Sequence, residues 1–116
     1  MARIILLLWT LGFLVGTTTH AMTLFSVGWM PQAQAPVWMN LYWTSLVLLD
    51  PLTVVLLWTR RRWGVWLGIA VMVTDVAINS YATYGLGIFE FGSFLQLQSL
   101  FGGFVLGSAV PLLRRA

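Results

Sequence analysis

Four long, mostly apolar runs dominate the chain: Ile4 to Phe25, Val37 to Thr59, Trp63 to Tyr84, and Phe94 to Leu113. Each is close to the ~20 residues that a helix rising ~1.5 Å per residue needs to cross ~30 Å of hydrocarbon. Lipid offers the backbone no hydrogen-bond partner, so a spanning segment is a helix or part of a closed barrel. None of the runs alternates with period two, which selects helices. The expected fold is therefore all-α: one four-helix transmembrane bundle occupying residues 1–116 as a single domain. Composition agrees. The chain is 59% hydrophobic and 8% charged, whereas a soluble domain carries about 25% charged residues to cover its surface.

The connectors punctuate the runs where helices should end. Gly28 to Pro36 holds Pro31, Gln32 and Gln34; Arg60, Arg61 and Arg62 make a tight turn; Gly85, Gly87 and Gly92 break the chain before the fourth run. Four crossings place Arg3, the Arg60–Arg62 cluster, and Arg114 with Arg115 on one face, while Glu90 is the only charge in the two opposite loops. This is the positive-inside pattern, so both termini are expected to be cytoplasmic. Trp29, Trp38, Trp58 and Trp63 fall at the interfaces, where indole is favoured. Arg3, the apolar stretch Ile4 to Gly16 and Thr19-His20-Ala21 also have the outline of a cleavable signal peptide; the expectation adopted is that the segment stays as the first span. The minimal loops suggest a prokaryotic cytoplasmic membrane. All six basic residues are arginine, and they cluster at span ends, which speaks for topology and against nucleic acid. With no cysteine, a disulfide framework, a thiol nucleophile and a cysteine-held metal are excluded.

Two aspartates interrupt this picture. Asp50 and Asp75 lie near the middle of the second and third spans, in a chain with three acidic residues in all. A charge at the bilayer centre costs roughly 2.5–3.5 kcal/mol on insertion scales. With no lysine or arginine at this depth, a neutral acid or one proton shared by the pair is the expected resting state. Helical spacing gathers them with other polar groups. Asn40, Trp43, Val47 and Asp50 share a stripe on the second span. Gly68, Met72, Asp75 and Asn79 share one on the third, followed by Thr83. Trp9, Phe13, Gly16 and His20 share one on the first, and Gln96, Ser99 and Gly103 on the fourth. The expected interior is a polar-lined pocket with His20, Asn40, Asp50, Asp75 and Asn79 as ligand-binding groups and Tyr42, Trp43 and Tyr81 as aromatic walls. Pro51 removes one helix hydrogen bond beside Asp50 and frees the Val47 carbonyl. A neutral acid could equally just join helices. The pairs Gly12/Gly16, Gly64/Gly68 and Gly103/Gly107 each form Gly-x-x-x-Gly, which lets backbones approach within a bundle or across a dimer face.

Tests for specific chemistry return little. No metal is expected, because no paired-ligand spacing accompanies His20. No serine elbow or phosphate loop occurs, and no cofactor is implied. A His20/Asp75 acid–base pair is geometrically allowed, so enzymatic activity stays an open alternative.

The layout resembles the EXPERA superfamily, which includes emopamil-binding sterol isomerases and the sigma-two-type receptor. The similarity rests on four spans with a longer first outer loop, Pro36-Val37-Trp38 at the entry to the second helix, Pro51 midway along it, Asp75 and Asn79 on the third, and Pro111 late in the fourth. It implies a pocket for a sterol-like or other apolar ligand. The chain lacks the acidic residue such proteins carry at the outer end of the first helix, and it lacks the isomerase His and Glu pattern, so the resemblance does not carry that activity across. The leading expectation is an integral membrane protein that binds an apolar or amphipathic, sterol-like or isoprenoid-like, small molecule. The alternatives are a proton- or cation-coupled transporter, an accessory subunit of a larger membrane complex, and a small membrane enzyme.

Overall fold

The computed structural model describes residues 2–30, 32–87 and 92–114. They form α1 (Ala2–Ser26), α2 (Val37–Thr59), α3 (Arg61–Ser80) and α4 (Gly92–Arg114), with a π-helical turn, Tyr81–Gly85, continuing α3. No strand occurs among the described residues, and four helices are long and apolar enough to cross a membrane. Pro31, Glu90 and Arg115 lie outside the described residues.

The helices follow one another round a ring. α1 lies along α2, α2 along α3 and α3 along α4, and the ring closes where α1 meets α4 over a short stretch only. The longest dimension is 43 Å, enough to pass through ~30 Å of hydrocarbon. Buried side chains fill the middle, with Trp9, Phe13, Met39, Leu46, Leu57, Val65, Val105 and Leu112 at its centre. The outward faces remain apolar, as Leu11, Leu48, Leu100 and Trp63 illustrate. Trp29, Trp38 and Trp58 are exposed as well, which suits rings in contact with lipid rather than core anchors.

The α2–α3 turn is tighter than a loop. Only Arg60 leaves helical geometry, and its N–H still reaches the Leu56 carbonyl while its own carbonyl accepts from Gly64 N–H. Such an abrupt reversal brings the two backbones together at Gly64, where a Cβ would lie 2.4 Å from the Leu57 nitrogen. The loop before α2 is held differently. The Asn40 amide donates to the Gln32 carbonyl at 2.8 Å and accepts from the Gln32 N–H at 2.9 Å, tying the loop to the first turn of the helix.

Two side-chain bonds close the arginine-bearing end. The Trp9 indole donates to Ser108 Oγ at 2.8 Å, joining α1 to α4, and the Trp58 indole donates to Thr10 Oγ1 at 3.0 Å, joining α2 to α1. The start of α1, the α2–α3 turn and the end of α4 therefore sit together, as expected. Ser108→Ala strands a buried indole N–H, and a buried donor without a partner costs about 1–3 kcal/mol. Exposed Ser99→Ala should cost less than about 0.5 kcal/mol. Unfolding of both variants in a denaturing-detergent titration checks the difference.

The glycine pairs divide in two. A Cβ on Gly12, Gly16, Gly64 or Gly68 would meet a neighbouring helix, whereas Gly103 and Gly107 have nothing within 4 Å. The first two pairs serve close approach inside the bundle, and the third faces outward.

Candidate functional site

A cavity of about 510 Å³ opens between α1 and α4, with α2 and α3 behind it. It follows from the short α1–α4 seam. Toward the arginine end the seam is shut by the Trp9–Ser108 bond and by the Phe101 ring, which occupies the space a Cβ on Gly12 would take. Beyond that point the helices stand apart. The walls are Leu8, Leu11, Val15, Leu97 and Met72 with the rings of Phe13, Phe101 and Phe104. Phe13 and Phe101 meet edge to face at 5.7 Å. The polar lining is Thr19, His20, Asp50, Asp75 and Gln98.

The two aspartates are both 4% exposed, but their surroundings differ. Asp75 belongs to a closed network. One of its oxygens accepts from Asn79 Nδ2 at 3.2 Å and the other from Gln98 Nε2 at 2.9 Å. Asn79 also donates to Gln98 Oε1 at 3.0 Å and accepts from the Trp43 indole at 2.7 Å. The network thus joins α2, α3 and α4. Asp50 makes no hydrogen bond with any described residue. Its Oδ2 lies against Gly16, where a Cβ would come within 2.5 Å. Glycine at that position lets the carboxyl group pass beside α1 and reach the cavity. The His20 imidazole, one turn further along α1, is half-buried on the same wall and also makes no hydrogen bond among the described residues.

Of the residues singled out from sequence, His20, Asp50 and Asp75 meet at the cavity, and Asn79 and Trp43 stand one layer behind it. Three do not reach it. Asn40 is fully buried in its loop-tying role. Tyr42 lies on the α2–α3 flank, where its hydroxyl meets Thr74 Oγ1 at 2.6 Å. Tyr81 is exposed and its ring covers Gly85. The aromatic walls are phenylalanines instead. The fourth-helix stripe is also corrected: Gln96, Ser99 and Gly103 face outward, and the inward face runs through Gln98, Phe101, Val105, Ser108 and Leu112. Gln96 stands near the start of α4, where an amide can reach interfacial water, so polarity there did not mark the interior. Gln98 is the site residue that sequence reading passed over. Its signal was its spacing from Ser108, ten residues on and on the same helical face.

Among the described residues no group of three His, Asp or Glu side chains gathers. No family model, no curated protein and no solved structure matches the chain.

Proposed function

We propose that the protein binds an amphipathic small molecule drawn from the bilayer, with an apolar body of sterol-like or isoprenoid-like size and one polar head. The observation that carries this reading is Asp50: a buried acidic side chain with no protein partner, aimed into a cavity that is otherwise largely apolar. Burying such a group without a partner is costly, and a ligand that donates a hydrogen bond to it recovers that cost. The head group therefore carries a hydroxyl or an amine. Its body lies along Leu8, Leu11, Leu97 and Phe104, and it enters sideways through the α1–α4 opening. His20 offers a second polar contact. The EXPERA-like arrangement of Pro36-Val37-Trp38, Pro51, Asp75 and Asn79 supports the same reading.

The accessory-subunit reading calls for acids turned outward to meet a partner's basic residues, and here both aspartates turn into their own bundle. Proton- or cation-coupled transport is favoured by one feature, two carboxyl groups on a single cavity with no arginine or lysine among its lining residues. It predicts pH-driven flux in vesicles that either Asp→Asn variant abolishes. Residence in a prokaryotic cytoplasmic membrane, with both termini inside, accompanies either reading.

The test is mass spectrometry of small molecules that co-purify with gently solubilised protein. A specific amphipathic compound is expected with the wild type and absent from Asp50→Asn and from Gly16→Ala, whose methyl displaces the Asp50 carboxyl group. Identical small-molecule content in all three folded proteins would overturn the proposal.

A further inference from the structure

A second concavity, of about 340 Å³, lies at the arginine-bearing end, away from the ligand cavity. Ala2, Arg3, Leu6, Trp58 and Arg61 line it. Three features of this cleft are electrostatic. Neither Arg3 nor Arg61 has an ion-pair partner among the described residues, and the Nε of Arg61 is buried with no hydrogen-bond partner at all. Two helices begin here, α1 at Ala2 and α3 at Arg61, and neither carries an acid in its first turn. The first N–H groups of a helix have no intrahelical acceptor and carry partial positive charge. The residue preceding α3 supplies no side-chain cap. Of the five lining side chains, Arg3 and Arg61 are the charged ones and both are positive, Ala2 and Leu6 are apolar, and the Trp58 indole N–H is already engaged with Thr10. Among the described residues the acids are Asp50 and Asp75, and both line the other cavity.

We propose that this cleft is a binding site for a phosphate group, held by the guanidinium groups of Arg3 and Arg61 and the N-terminal amides of α1 and α3. Arginine's planar fork matches phosphate oxygens two at a time, and an anion at a helix N-terminus satisfies the free amides. The exposed Trp58 ring and the position at a membrane interface suit the headgroup of an anionic phospholipid whose chains continue down α1 and α2. Free phosphate would satisfy the same groups.

A diffuse attraction of anionic lipid to any cluster of arginines is the competing explanation, and charge-preserving variants separate the two. Protein is released from nanodiscs of phosphatidylglycerol or phosphatidylcholine, and retained lipid is counted by native mass spectrometry. The site predicts selective retention of phosphatidylglycerol that falls about fivefold in R61K, since a lysine keeps the charge and loses the fork. In R62K, whose side chain is exposed and outside the cleft, retention stays within about twofold. Should R61K fail to fold by circular dichroism, R3K on the facing wall serves the same comparison. Displacement of the lipid by inorganic phosphate at constant ionic strength supports free phosphate as an occupant; retention against it supports the headgroup. Equal retention in R61K, R3K and R62K, or equal retention of the two lipids by wild type, overturns the proposal.

Discussion

Asp50→Asn is expected to weaken ligand binding at least about tenfold while leaving the stability of the bundle unchanged or raised. The side chain makes no hydrogen bond to the described protein, so its amide analogue, of nearly the same shape, removes no structural contact. It does remove the acid that, in the proposed function, meets the ligand's donor. An amine head takes the Asp50 proton as it docks, and the resulting hydrogen bond between charged groups contributes about 1.5–3 kcal/mol; each 1.4 kcal/mol is about tenfold in affinity. Asp75→Asn should behave differently. Both Asp75 oxygens accept side-chain amides, from Asn79 and from Gln98. An amide nitrogen in place of one oxygen sets donor against donor, at a cost of about 1–3 kcal/mol, and loosens α3 from α4. Thermal unfolding and ligand titration of the two variants side by side should show one losing affinity alone and the other losing both. Equal loss of stability in both would mean that Asp50 is a structural residue, and the binding assignment would fall with it.

The largest effect on folding is expected at Gly64. An alanine Cβ there would sit 2.4 Å from the Leu57 nitrogen and 2.8 Å from the Leu56 carbonyl carbon. Both are backbone atoms on the far side of a one-residue turn, so neither can swing aside as a side chain would. Overpacking of this kind typically costs about 1–3 kcal/mol and occasionally more; with backbone as the obstacle, about 3 kcal/mol or complete loss of folding is expected for Gly64→Ala. Gly103→Ala and Gly107→Ala, with nothing within 4 Å, should be neutral or gain up to about 1 kcal/mol from helix propensity. Detergent-denaturation midpoints of the three variants measure this. A wild-type midpoint for Gly64→Ala would contradict the close α2–α3 approach. A change of oligomeric state in a folded Gly103→Leu chain would instead place a second copy on that face.

How much of this could be read in the residues themselves differs by helix. The second span was expected at Val37–Thr59, the bounds α2 has, because Pro36 and Arg60 punctuate it unambiguously. The inward stripes of α1, α2 and α3 were legible for a related reason: each contains a polar residue too costly to face lipid, namely His20, Asp50 or Asp75, and that residue orients its helix. α4 has no such marker. Its two glutamines, Gln96 and Gln98, stand two residues apart and hence about 200° round the helix, so only tertiary contacts decide between them. Asn40 lies away from the cavity because its partner is a loop carbonyl, and side-chain bonds to irregular backbone leave no periodic trace. Tyr42 adjoins Trp43 in sequence yet lies on another flank, because adjacent residues on a helix point about 100° apart.

The open α1–α4 seam has a consequence for how affinity should be expressed. A molecule that arrives sideways never crosses bulk water on its way in, so its effective concentration is its mole fraction in the membrane. Partitioning into lipid and docking into the cavity are then separate equilibria. Lengthening an alkyl tail should raise apparent affinity in aqueous units, by about 0.8 kcal/mol for each CH₂ transferred from water, yet leave the mole-fraction dissociation constant almost unaltered once the tail extends beyond Phe104 into the acyl chains. Only changes to the head group, where Asp50 and His20 wait, should move that constant.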